Sequence, residues 1–353
     1  MRRVFLEELG GRKDVIEPPR SFPSCHAPTI CQTLSGRLLL AFYAGLQEGA
    51  PDSVVLGVVR KGGVWSEPKV WVHVPRRAVA NPRLFLGPDG AVWLLFGVNY
   101  GPRWCSGDTY LFVKRSDDEG DTWHDLELFW EQKGLLGKNR PLHEGNFWIF
   151  PLEWEYTWSA TFLRSEDNGR TWELTGDLGV LANAHLIQPA LVKLSDGRLR
   201  AYMRSQEGWI FISDSMDNGR TWSFPQPSPI PNNNSGLDVL RTRAGILLLA
   251  CNPTGLTANP EPVEEGWPET LALGFTRWGP RFPLVLKISG DEGQTWPLEL
   301  VLEEGPGEYS YPCLMEDADE TIHLVYTYRR RAIAHVAFPG RLLVSLMEEG
   351  GIG

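Results

Sequence analysis

At 353 residues and a net charge of −10, the chain lacks the basic surface that nucleic acid or an anionic membrane would select. It also lacks any apolar stretch of the roughly 20 residues a membrane span needs. Hydrophobic residues make up 42% and Trp numbers 15, enough for one large core with no low-complexity linker, so residues 1–353 read as a single domain.

The opening run Arg3-Val4-Phe5-Leu6 has no hairpin partner nearby and is expected to pair with the last unit of the fold. Short apolar runs then follow two-residue turns at regular spacing. Ser35-Gly36 precedes Arg37–Phe42, Asp89-Gly90 precedes Ala91–Phe96, and Asp196-Gly197 precedes Leu199–Met203. Glu144-Gly145 and Ala244-Gly245 repeat the turn, and a degenerate Asp319-Glu320 precedes Thr321–Tyr326. Such short runs bounded by turn residues are buried strands, not helices. Cys25, Cys31, Cys105, Cys251 and Cys313 are odd in number and show no metal or redox spacing. With no uncharged leader at Met1–Glu8, they read as reduced thiols of a cytoplasmic protein that uses no metal or cofactor.

A second pattern, Ser-x-Asp-x-Gly-x-Thr-Trp, is offset from the first. It occupies Ser116–Trp123, Ser165–Trp172, Ser215–Trp222 and Ser289–Trp296, with starts 49, 50 and 74 residues apart. Its chemistry is that of a hairpin turn: the Asp accepts backbone N–H groups, the Gly supplies an unusual conformation, and the Trp plugs the space between strands. Asp118, Asp167, Asp217 and Asp291 are therefore structural. Arg60–Trp65 reads as a decayed copy. The 74-residue gap is expected to hold one unit without the pattern, plus a long loop, Asn252–Pro268, over one face. A period near fifty with strand-like flanks predicts an all-β fold, a six-bladed β-propeller closed into a ring by its N-terminal strand.

Five of the six innermost strands begin with a polar residue close before a proline: His26-Ala27-Pro28, Asn81-Pro82, Arg140-Pro141, Gln188-Pro189 and Tyr311-Pro312. The sixth is entered through Asn232–Asp238. Proline at a strand start gives up no ladder bond and is expected to hold the preceding residue extended, aiming each polar side chain at one pocket. An acidic chain that takes an acidic ligand needs placed arginines. Arg204 ends the strand Leu199–Met203, and Arg281 lies eight residues before Ser289. Their planar forks suit a carboxylate as Lys does not. Tyr328-Arg329-Arg330-Arg331 offers more, with Arg329 taken as the inward one.

The fourfold Ser-x-Asp-x-Gly-x-Thr-Trp resembles the Asp-box of the sialidase superfamily. The resemblance implies a sialidase-like propeller in which Arg204 and Arg281 hold a carboxylate, with Arg140 as a third candidate. It also implies that Tyr311, within Glu308–Leu314, is the nucleophile leading the final blade. A phenol of ordinary pKa about 10 needs a base. Glu308 and Glu48 are candidates, together with Asp52 in the segment Gln47–Asp52, which occupies the family's acid/base loop. A Tyr311 without covalent role stays open. Two positions depart from the pattern: His26 stands where the family has its first arginine, and Gln188 where it has the glutamate that activates the tyrosine. Ordinary sialosides are therefore expected to turn over poorly. Cys25-His26-Ala27-Pro28 is similar to single-domain propellers loosely called predicted neuraminidases, related to enzymes that cut rhamnose–glucuronate linkages.

Three functions follow. The first is an exo-acting glycoside hydrolase that releases a terminal sugar from an acidic glycan. Tyr311 and His26 would carry its chemistry, Glu48 or Asp52 would be the acid, and Asn81, Gln188 and Asp238 would contact hydroxyls. The second is a lyase in which His26 removes a proton beside a carboxylate. The third is a non-catalytic glycan-binding propeller. No nucleic-acid or membrane partner is expected, and the sequence leaves the oligomeric state open.

Overall fold

The computed structural model describes residues 1–101, 107–256, 261–262, 275–276 and 278–349. The turn pairs end strands where expected. Gly36 adopts φ 87°, and in the degenerate copy Glu320 carries the same hand at 60°. After these turns run Leu38–Gly45, Val92–Asn99, Phe147–Trp154, Leu199–Ser205, Leu247–Cys251 and Thr321–Tyr328. Each is the second strand of an antiparallel set. The first strands are Ser24–Gln32, Ala78–Leu86, Leu142–Glu144, Leu186–Lys193, Asp238–Arg241 and Tyr309–Glu316. A single parallel bridge, Ser159 to Leu186, links the sets containing Phe147–Trp154 and Leu199–Ser205 into one sheet.

Alternation along these strands buries both faces, so the core divides into apolar clusters that each draw on neighbouring sets. Leu39, Val55 and Trp71 pack with Leu84, Leu94 and Phe96. Trp93 and Leu95 pack with Phe150 and Leu163, and Phe162 packs with Leu199 and Met203. Tyr202 and Ala190 meet Leu247 and Val285, and Leu248 and Leu286 meet Leu324 and Tyr326. A last cluster sets Cys313, Met315 and Val325 of the final set against Cys25, Leu40 and Leu56 of the first. Burial of each such large side chain contributes about 1.5–3 kcal/mol. No helix among the described residues is long and apolar enough to cross a membrane.

The repeated turn behaves as its composition requires. In the copy at Ser165, Thr171 donates its N–H and hydroxyl to the two oxygens of Asp167 at 2.8 and 2.6 Å. The Ser165 hydroxyl donates to Asp167 at 2.8 Å and accepts the Gly169 N–H at 2.9 Å. Trp222 of the next copy stacks on Phe162 at 4.1 Å between centroids. The decayed copy at Arg60–Trp65 keeps the hairpin, with Val54–Lys61 paired to Val64–Trp65.

Three expectations are corrected. The first strand, Arg2–Val4, runs parallel to Leu298–Glu303 and not beside the last set; Arg12–Ile16 pairs there instead, with Ala332–Pro339. Among the described residues the gap before Ser289 holds no separate four-stranded unit, only the short pairing of Glu261–Pro262 with Phe275–Thr276. Asp238–Arg241, Leu247–Cys251, Leu284–Ser289 and Leu298–Glu303 form one sheet, and the extra length lies between its second and third strands. The loop expected at Asn252–Pro268 lies largely outside the described residues, as does Cys105; the four described cysteines are buried and free.

The third correction concerns the prolines. Ala27, Asn81, Gln188 and Tyr311 are not extended; their φ values are 51, 47, 51 and 54°. Each begins a two-residue break in pairing, as between His26 and Thr29 or between Ser310 and Cys313. The proline thus costs no ladder bond, and the bulge turns the residue before it out of the alternation. A left-handed non-glycine residue costs roughly 1–2 kcal/mol. Four at one structural position mark stored strain of the kind that gathers at functional sites.

Candidate functional site

The bulges bring Tyr311, Gln188 and Asn81 into the wall of one cavity, with Tyr43, Glu48, Asn99 and Glu155. Its free space is about 30 Å³, room for about one or two water molecules. The Tyr311 hydroxyl oxygen receives two N–H donors, Arg204 Nη1 at 2.9 Å and Gln188 Nε2 at 3.0 Å. Arg204 Nη1 also donates to Gln188 Oε1 at 3.0 Å, and its Nε donates to Asn234 Oδ1 at 2.7 Å. Arg204 is 2% exposed, and all three of these partners are neutral. Burial lowers its basicity, offset in part by the charge that Tyr311 can carry. Trp158 and Trp278 flank the guanidinium at 5.6 and 5.1 Å, favourable faces for a cation.

Two further arginines stand close by. Arg281 donates to Glu308 at 2.7 Å and lies 5.7 Å from the Tyr311 ring centre. Arg330 donates through Nε to Glu308 at 2.6 Å and through Nη1 to Glu48. Two of the three candidate bases, Glu308 and Glu48, therefore pair with arginines. Glu48 keeps 37% of its side chain exposed; partial burial pushes its carboxyl up, but the charges of Arg330 and Arg281 outweigh it and hold it below its ordinary value.

His26 is buried, its ring 4.1 Å from that of Tyr311 and edge-on to Tyr43 at 5.7 Å. Burial, reinforced by Arg330, Arg281, Arg204 and Lys138, holds its pKa well below the ordinary imidazole value, so the ring is neutral.

The fold has known counterparts. The family model for a BNR repeat-like domain matches residues 36–324. The chain belongs to the BNR repeat-like family. It is similar to a sialidase of Micromonospora viridifaciens, 26% identical over 352 residues that cover 86% of this chain and 50% of that one. An anhydrosialidase of Macrobdella decora is 24% identical over 238 residues, 62% of this chain and 29% of its own length. The chain thus spans half or less of these relatives. The intramolecular trans-sialidase of Ruminococcus gnavus, solved with oseltamivir carboxylate, superposes with a TM-score of 0.70 at 16% identity, covering 94% of this chain and 98% of that one. The chain thus has the sialidase fold and stands within the sialidase superfamily.

Not every expected residue of this BNR repeat-like chain reaches the Tyr311 cavity. Arg140 and Asp238 line a separate cavity of about 380 Å³ at the other end of the first strands. There Arg140 donates to the carbonyl of Leu314, and Asp238 accepts the N–H groups of Leu314 and Val239 at 2.7 and 2.9 Å. Both brace strands across the molecule, a role their place near the chain's bends did not reveal. Asp52 caps the N–H of Leu46 at 3.0 Å and is not in the cavity wall, whereas Glu48 is. Arg329 is exposed and packs on Tyr309 and Tyr328, donating to the Tyr309 hydroxyl at 3.1 Å. The inward member of that arginine run is Arg330. Positive φ at both residues, 55 and 56°, breaks the alternation on which the choice of Arg329 rested.

Glu155 of the cavity wall and its neighbour Glu153 had no signal in the sequence. Glu155 is buried, with Oε2 free of hydrogen bonds among the described residues. Burial first, then the neighbouring Glu153, push its carboxyl well above the ordinary value. Glu153 itself is pushed up to about 7 by burial, moderated by Arg83 and Arg204.

Proposed function

We propose that the chain is a six-bladed propeller glycosidase that releases a terminal carboxylated sugar from an acidic glycan. The circuit of apolar clusters from the first set to the last supports the six blades. The observation that carries the activity is Arg204, a buried guanidinium bonded, among the described residues, only to neutral groups, one of them the Tyr311 hydroxyl at 2.9 Å. A buried charge without a bonded counter-charge is costly, and a substrate carboxylate offsets it. Arg281 and Arg330 already share Glu308, so they set the field of the pocket and Arg204 takes the anion.

In the reaction, the Tyr311 oxygen forms a bond to the anomeric carbon as the bond from that carbon to the glycosidic oxygen breaks. The phenol proton must end on the departing oxygen. We assign its carriage to Glu48, ionised and in the same cavity wall. Gln188 cannot do this: its amide donates to the phenol, where a glutamate would accept. The two N–H groups aimed at the Tyr311 oxygen serve the developing charge on it. Water then cleaves the glycosyl-tyrosine, returning the phenol.

A carboxylated glycosyl fluoride bearing a second fluorine beside the anomeric centre tests this reading by intact mass. The expected result is a covalent adduct on Tyr311 in the wild type, none in Tyr311→Phe, and none with the methyl ester of the same reagent. Equal labelling by acid and ester, or labelling that survives in Tyr311→Phe, would sink it.

A further inference from the structure

His26 and Thr327 form a small closed account of hydrogen atoms. The Thr327 hydroxyl oxygen accepts the Ala27 N–H at 3.1 Å and lies 2.8 Å from His26 Nδ1. Thr327 is wholly buried, so its single hydrogen goes to a protein acceptor, and Nδ1 is the acceptor at hand. A nitrogen that accepts carries no hydrogen, and a neutral imidazole then bears its one hydrogen on the other nitrogen. That nitrogen, Nε2, is buried with no hydrogen-bond partner among the described residues. A second proton on the ring is opposed by burial and by Arg330, Arg281, Arg204 and Lys138, and the ring packs against Tyr43 and Tyr311, both of the cavity wall.

We propose that Thr327 holds His26 in the neutral tautomer with hydrogen on Nε2, and that this N–H is a donor kept for an oxygen of the bound sugar. A buried donor without an acceptor costs about 1–3 kcal/mol, so it persists where a ligand satisfies it. The consequence for chemistry is definite. His26 presents no lone pair toward the ligand, so it takes no proton from substrate, and the elimination reading loses its base. Thr327 is a positioning residue: it acts through the ring it orients. The donor half of this proposal rests on the glycosidase reading; the tautomer half does not.

Long-range proton–nitrogen correlation spectra of uniformly ¹⁵N-labelled protein, with His26→Gln to assign the signal, test both halves. Between pH 6 and pH 8 the ligand-free protein should show Nδ1 as the unprotonated nitrogen and Nε2 as the protonated one, without titration. Thr327→Ser should preserve that pattern, and Thr327→Val should give a mixture of tautomers. Hydrogen on Nδ1 in the wild type, or an imidazolium above pH 6, overturns the proposal even if Thr327→Val fails to fold. A carboxylated sugar that binds should shift the Nε2–H signal; binding without that shift overturns the donor role. If no carboxylated sugar binds at all, the glycosidase reading fails while the tautomer result stands on its own.

Discussion

Glu155 sits in the wall of the Tyr311 cavity, where burial and the adjacent Glu153 both oppose a charge on it. The folded chain therefore keeps a proton that the unfolded chain releases above about pH 4.3. For a raised carboxyl the stability contribution is fully present below the unfolded pKa and is lost as pH rises toward the folded one. Glu155→Gln mimics the protonated form and is expected to stabilise the protein at pH 7 by about 1 kcal/mol or more, with the gain gone near pH 4. Urea unfolding at the two pH values measures it. A loss of stability at pH 7 would mean that Glu155 is charged and held by a partner. Tyr311, Gln188, Asn81 and Arg204 were legible because each stands beside a proline or at a strand end that recurs around the fold. Glu155 was not, since nothing in Glu153-Trp154-Glu155 tells which carboxyl is buried. Arg330 was hidden for a different reason: strand alternation assumes a regular backbone, and the bend at Arg329 and Arg330 is not regular.

At the level of the element, the repeated turn isolates its aspartate from the chemistry. Hydrogen bonds from the Thr171 hydroxyl and N–H and from Ser165 hold the Asp167 carboxyl down to about 2. A depressed carboxylate contributes stability that is present above its unfolded pKa, about 3.9, and is lost as pH falls through the folded value. Asp167→Ala should lower the melting temperature at pH 7 by roughly 1–2 °C. The difference from wild type should shrink as pH approaches 2. Labelling of Tyr311 per folded molecule should be unchanged, and its selective loss in a stable mutant would put this turn in the mechanism. The turns and strands were readable because each is specified within about eight residues. Pairing was less so. The strand Arg2–Val4 has three residues whose partner is chosen by packing of Val4 into a cluster with Leu298 and Leu300, a contact some three hundred residues away.

For the whole molecule, the contact between the first and last sets is the one that no chain connectivity supports locally, and it is built partly of histidine. Trp65 of the first set donates to His335 Nδ1 at 3.2 Å, so His335 carries hydrogen on Nε2 and donates to His323 Nδ1 at 2.9 Å. His323 in turn donates from Nε2 to Asp317 at 3.0 Å. The chain of donors is complete only with both rings neutral. Burial, then His323 and the cations Arg60 and Arg12, hold His335 down to about 2, and burial outweighs Asp317 to lower His323 as well. The unfolded chain takes protons on these rings below about pH 6.5, while the folded chain keeps His335 neutral and disfavours the charge on His323, so stability is full above that pH and falls below it. Each ring that stays neutral costs up to about 1.4 kcal/mol per pH unit through this window. Denaturant unfolding should therefore show the wild type losing up to about 2 kcal/mol through His335 between pH 6.5 and pH 5, with His323 adding to the loss. His335→Gln should be less stable than wild type at pH 7, because Trp65 and His323 lose their partner, yet should lose less on acidification. Hydrogen exchange at pH 5 should show Ala332–Pro339 and Ser24–Gln32 opening before the strands of the middle sets. Equal acid sensitivity in wild type and His335→Gln would show that the seam does not set the pH limit of the fold.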